Sequence, residues 1–276
     1  MTTFDPIIHD ELTIDPDFPP TMAAFAIESY GEMMNGLIYV ANGAGPHPTA
    51  ILLHGYPGNE KNLDLAQAMR RAGWNVLFFH YRGSWGSGGS YSVMSAIEDV
   101  NAVIEFVLLA ETEAQYRIDR SRLALVGHSM GGYLSLVVGS WRAEIGRICA
   151  IAPVHMRALH AQFVENPAMA QMMSTGLDAT YALKGHDFAG NLETMSKNWM
   201  AYDFLWNSAD FHNTDVCLIA ASGDEILPPA VHHDPVVAAL SEQPTTTLTT
   251  HLIDTDHAFS GQRIALMRLV IEWLNR

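Results

Sequence analysis

Short, strongly apolar runs recur along this chain and leave it few architectures to choose from. They are AILLH at 50–54, NVLFFH at 75–80, LALVG at 123–127, ICAIAPV at 148–154 and VCLIAA at 216–221, with a weaker LTTHLI at 248–253. Runs this short, with no polar face, suit strands buried on both sides. Between them the period changes. Val93, Ile97, Val100, Ile104 and Val107 step by four and three, one face of a helix. Ile264, Met267, Ile271 and Leu274 repeat the pattern near the end. The alternation predicts an α/β fold: a mostly parallel, twisted sheet with helices on both faces.

The flanks read differently. Residues 1–20 carry Pro6, Pro16, Pro19 and Pro20 and read as an irregular arm. Segments 23–28 and 33–40 are β-like and meet at Tyr30-Gly31-Glu32, a hairpin turn, and 42–48 reads as a loop. Residues 156–214 break the alternation. They hold Met156, Met169, Met172, Met173, Met195 and Met200, with Phe163, Tyr181, Phe188, Trp199, Tyr202, Phe204, Trp206 and Phe211. They read as a helical insertion, a lid, which leaves 1–155 and 215–276 as the core domain.

Composition narrows the function. The 276 residues are 49% hydrophobic and 16% charged, with 15 Lys plus Arg against 30 Asp plus Glu and a net charge of −15. So few cations argue against nucleic acid and against an anionic membrane surface as partner. Cys149 and Cys217 are too few for a disulfide framework and read as reduced, buried thiols. The first residues lack a secretory signal, and no apolar run reaches membrane-span length. A cytoplasmic protein is expected, and the oligomeric state stays open between monomer and homodimer.

The sharpest local signal is GHSMG at 127–131, between the apolar run 123–126 and a helical run from 132. G-x-S-x-G between strand and helix is the pattern of a nucleophile elbow, whose tight turn needs small residues two before and two after the serine. A serine needs a base and an orienting acid, expected in the order Ser, acid, His after later strands. Asp224 follows the run at 216–221, with Glu225 as rival and a loop-capping turn as the plain alternative. His257 follows 248–253, with His251 as a competitor that would stay on the strand. Two backbone N–H donors complete the set, from Met130 and from Tyr56 in the loop HGYPG. His232-His233 reads as a surface pair and not as metal ligands, because adjacent residues diverge. The Gly-rich stretch 83–89 lacks the Gly-Lys-Ser/Thr of a phosphate loop and reads as structural.

Taken together, GPHPTAILLHGYPG (45–58), YRGSWGSGGS (81–90), GHSMGG (127–132), SGDEILPP (222–229) and DTDHAFS (254–260) resemble the α/β-hydrolase superfamily of serine hydrolases over residues 22–276. The segment around 82–86 looks most like the prolyl-oligopeptidase-related esterases and acyl-peptidases, without their propeller. The resemblance implies acyl transfer to water with Ser129 as nucleophile, His257 as base, Asp224 as orienting acid and no metal or organic cofactor. The expected partner is a small-molecule ester of small to medium, neutral or hydrophobic groups; the Met-rich insertion reads first as packing the lid onto the sheet, with some of its residues lining an acyl pocket as the alternative. The alternatives are a small peptidase or amidase, its substrate amine held by Glu165, Asp178 or Asp187, and a non-catalytic ligand-binding protein on the same scaffold.

Overall fold

The computed structural model describes residues 4–178, 180–198, 202–205, 211, 213–243 and 246–276. Trp199, Met200 and Trp206 lie outside these, as does the side chain of Asp178.

Eight strands form one sheet. They are β1 (Thr21–Ser29), β2 (Glu32–Val40), β3 (His47–Leu53), β4 (Asn75–Phe79), β5 (Ile118–His128), β6 (Ile145–Ile151), β7 (Asp215–Ala221) and β8 (Thr247–Ile253). Their order across the sheet is β1-β2-β4-β3-β5-β6-β7-β8. The β1/β2 hairpin pairs antiparallel, as does β2 with β4, and every other pairing is parallel. All six apolar runs are strands. The loop expected at 42–48 is shorter, because β3 already starts at His47, whose N–H donates to Arg117 O at 2.7 Å.

The sheet is covered on both faces. The helices are α1 (Leu63–Arg71), α2 (Val93–Leu108), α3 (Ala110–Tyr116), α4 (Met130–Trp141), α5 (Met156–Glu165), α6 (Pro167–Asp178), α7 (Phe188–Lys197), α8 (Pro229–His232), α9 (Asp234–Ser241) and α10 (Arg263–Leu274). One apolar core joins the sheet to α2 and α4, and a second joins its other face to α1 and α10. All five periodic residues of α2 are buried. In α10 the buried face is Leu266, Met267, Val270, Ile271, Trp273 and Leu274, and Ile264 is exposed instead of joining it. Among the described residues no helix is long and apolar enough to cross a membrane. Cys149 and Cys217 are free, buried and opposite one another on β6 and β7.

The strand order places the site. The chain builds β4 on one side of β3 and then crosses to build β5 on the other. Such a reversal opens a crevice at the carboxyl ends of the two diverging strands. Leu53 pairs with Gly127, so the loop after β3 and the turn after β5 emerge side by side. Ala221 pairs with Ile253, which brings the loops after β7 and β8 together in the same way.

Helices α5, α6 and α7 lie between β6 and β7, and the segment after α6 is tied to the core. Trp85 N–H donates to Ala182 O at 2.9 Å, Lys184 N–H to Gly83 O at 2.7 Å and Tyr91 N–H to Lys184 O at 2.9 Å. The Gly-rich stretch is therefore a fastening for the insertion. Arg82 anchors it from below, its Nε donating to buried Asp99 Oδ1 at 2.6 Å and its backbone N–H to Oδ2 at 2.8 Å.

Candidate active site

The turn at Ser129 is as tight as a chain permits. Strand β5 ends at His128 and α4 begins at Met130, so one residue makes the corner, with φ 59° and ψ −118°. Non-glycine residues hold such values only where their surroundings enforce them. Here Ser129 N–H donates to Ile151 O at 2.8 Å, and Ser129 O accepts from Tyr133 N–H at 3.1 Å and Val154 N–H at 3.2 Å. A Cβ on Gly127 would meet Gly131 O at 2.0 Å, and one on Gly131 would meet Leu53 O at 2.1 Å. Both positions must be glycine for the corner to close.

Asp224 and His257 meet. His257 Nδ1 lies 2.6 Å from Asp224 Oδ2. A carboxylate only accepts, so Nδ1 carries the proton and Nε2 keeps the ring's lone pair. Asp224 Oδ1 accepts from Ile226 N–H at 2.9 Å and Leu227 N–H at 2.8 Å. The loop-capping turn and the histidine pairing are both present, one on each oxygen. The loop that carries His257 also meets the corner at Ser129: His128 Nε2 lies 2.8 Å from His257 O, and the two rings pack with centroids 4.8 Å apart. Burial and the neighbouring His257 push the His128 pKa down to about 3, so its ring is neutral and donates to that carbonyl.

The loop after β3 presses on Ser129. A Cβ on Gly55 would lie 3.0 Å from Ser129 Cβ and 3.5 Å from its Oγ, so the backbone leading into Tyr56 runs beside the hydroxyl. Met130 opens α4, where first-turn N–H groups have no intrahelical acceptor. The Tyr56 hydroxyl meets His186 of the insertion, and its ring packs on Tyr91 and Phe188. A cavity of about 90 Å³ adjoins Ser129, Tyr56 and Met130 and is walled by Met156, Met173 and Met195. The insertion thus contributes three of its methionines to that wall, whereas Met172 is 70% exposed.

Other candidates are placed elsewhere. Glu225 is exposed, and it is Asp224 that pairs with His257; His251 stays within β8. The reading of His232 and His233 as surface residues is corrected: they are 1% and 8% exposed, because α8 and α9 pack against the core. His232 Nδ1 accepts from His155 N–H at 3.1 Å. Glu165 is exposed, and Asp187 spends Oδ1 on Gly190 N–H as the cap of α7. Among the described carboxylates of the insertion Asp203 is the buried one, and no sequence signal marked it, because its partners His155 and Arg157 lie more than 40 residues away in the chain. Among the described residues no cluster of three or more His, Cys, Asp or Glu is set to hold a metal.

Comparison with known proteins agrees with this fold. Among solved structures, Est1E from Butyrivibrio proteoclasticus, with ferulic acid bound, superposes with a TM-score of 0.67 at 16% identity, covering 91% of this chain and 98% of that one. The acylaminoacyl peptidase of Pyrococcus horikoshii gives 0.67 at 15% identity over 93% of this chain and 41% of its own. XC6422 from Xanthomonas campestris, a serine hydrolase without a lid, gives 0.61 at 22% identity, covering 95% and 97%. Cutinase est1 of Thermobifida alba is 36% identical over 63 residues, 22% of this chain and 21% of that protein. The BD-FAE family model matches residues 37–177, just over half of the chain. The chain belongs to the BD-FAE family and has the α/β-hydrolase fold.

Proposed function

We propose that this protein is a serine carboxylesterase acting on small to medium, neutral or hydrophobic esters, with Ser129, His257 and Asp224 as its triad. The observation that carries the reading is the 2.6 Å pairing of His257 Nδ1 with Asp224 Oδ2, on loops next to a strained serine corner. Ser129 Oγ attacks the ester carbonyl while His257 Nε2 takes its proton. The N–H groups of Met130 and Tyr56 hold the oxyanion. His257 returns the proton to the departing alkoxide, leaving an acyl-serine. Water then attacks the acyl carbon, giving its proton to His257. The ester bond to Ser129 breaks and the proton passes back to Oγ. Asp224 keeps the imidazole in the required tautomer throughout. No step calls for a metal or an organic cofactor.

The apolar wall of Met156, Met173 and Met195 supports uncharged, apolar groups, since flexible thioethers adapt to varied shapes. The ferulic acid held by Est1E and the name of the matched cutinase favour esters in the same direction. Helices α5–α7 would act as the lid, and the expected setting is cytoplasmic.

The test is hydrolysis of p-nitrophenyl esters, acetate through decanoate, by the wild type and Ser129→Ala. Turnover by the wild type with a loss of about 10⁴–10⁶ in kcat for the variant is expected. Equal rates in both proteins would remove Ser129 from the mechanism.

A further inference from the structure

A second, larger cavity of about 330 Å³ opens beside the one at Ser129, and the two share Met156, Leu192 and Met195 as walls. Its polar groups come from the first turns of α5 and from the segment after α7: His155, Arg157, His160 and Asp203, with Tyr133 and Phe204 as aromatic walls. The Asp203 side chain is only 3% exposed. Its Oδ1 accepts from Leu205 N–H at 2.9 Å and lies 3.4 Å from His155 Nε2. Its Oδ2 is buried and accepts no hydrogen bond from the described residues, with Arg157 Nη1 at 3.7 Å.

Asp203 Oδ2 is held by an ion pair at 3.7 Å and accepts no hydrogen bond from the described residues, and a donor that reaches it at hydrogen-bond distance recovers part of the cost of burying it. The electrostatics then select the donor. An anion would face Asp203. An ammonium would be drawn to Asp203 but set within reach of the Arg157 guanidinium. A hydroxyl donates to the carboxylate, accepts from the guanidinium, and carries no charge to desolvate. Burial opposes ionisation of Asp203, but the contacts with His155, Leu205 N–H and Arg157 outweigh it and lower its pKa, so the acceptor is charged at neutral pH.

We propose that this cavity is a subsite for a neutral, hydroxyl-bearing head of the ester substrate, with Asp203 Oδ2 accepting from the hydroxyl and the apolar body passing Met156, Leu192 and Met195 to reach Ser129. The proposal rests on the hydrolase reading of Ser129. It also gives His155 a role at the junction, since its backbone N–H holds His232, which lies near the Asp224–His257 pair.

The test compares each ester with its hydroxylated counterpart. One series uses p-nitrophenyl esters of straight-chain acids, C4 to C10, against the ω-hydroxy acids. The other uses acetate esters of straight-chain alcohols against the matching α,ω-diols. At one chain length in one series, kcat/KM should rise about tenfold on hydroxylation. In Asp203→Leu that ratio should fall to about one, and in the near-isosteric Asp203→Asn it should fall at least threefold. Asn serves if the leucine variant does not fold. An ω-amino counterpart is the control. No gain at any length, a gain that survives both substitutions, or a larger gain for the amine would each overturn the proposal. If no ester shows Ser129-dependent turnover, the hydrolase reading itself fails, and the subsite with it. Turnover of the parent esters without discrimination defeats the subsite alone.

Discussion

Asp224 divides its work between its oxygens, and a single substitution can separate the two tasks. Asn keeps a carbonyl oxygen for the Ile226 and Leu227 N–H groups, so the loop should hold. Its other atom is a donor and cannot accept from His257 Nδ1. Asp224→Asn should therefore lower kcat by about 10⁴ with little change in Tm. A loss smaller than tenfold would mean that Asp224 does not orient the base. At this scale the sequence was informative wherever a residue type met a topological slot, as with Asp224, His257 and the Gly55–Tyr56 loop. It was uninformative about His128. The residue before the serine in G-x-S-x-G has no fixed chemistry, and the bond of His128 to the His257 carbonyl spans 129 residues.

Among the elements, the corner between β5 and α4 has the least tolerance. Gly131 lies in the first turn of α4, directly over the end of β3, where an added Cβ would be 2.1 Å from a backbone oxygen that cannot swing away. Gly131→Ala should cost about 1–3 kcal/mol, read as a lower urea midpoint. Gly146 on β6 is the control, since a Cβ there meets nothing within 4 Å. Gly146→Ala should shift stability by less than about 0.5 kcal/mol. Equal effects at the two positions would show that the corner is not sterically closed. The glycine spacing announced this element in the sequence. The fastening of residues 182–184 to the Gly-rich stretch was not announced, because it is made by backbone groups about 100 residues apart in the chain.

Across the molecule four histidines, His54, His80, His128 and His232, sit where the charged form is opposed. Burial, with neighbouring cations or histidines, lowers the pKa to about 3 in His54 and His128 and to about 4 in His80 and His232. In the unfolded chain each titrates near 6.5. Between those values the unfolded state binds more protons, so the stability these groups hold above pH 6.5 is lost as pH falls toward 3–4. Each fully buried ring contributes a slope of about 1.4 kcal/mol per pH unit over that window, about 3 kcal/mol per unit for His54 and His128 together. The urea midpoint should hold steady from pH 8 to 7 and fall progressively below about 6.5. A midpoint unchanged from pH 7 to 5 would contradict neutral burial.

Local pattern alone was enough for the strands, the parallel sheet, the tight corner at Ser129 and the placing of Asp224 and His257 on the loops after β7 and β8. Each of these is set by a short-range constraint: apolar runs that must be buried on both faces, glycines that a corner requires, and loops that must follow particular strands. Tertiary structure decided the pairing oxygen of Asp224, the anchoring of the His257 loop by His128, the burial of His232 and His233, and the burial of Asp203 beside His155 and Arg157. These are properties of surfaces that meet only after the chain has crossed the sheet, and a residue's own neighbours in sequence carry no record of what will pack against it.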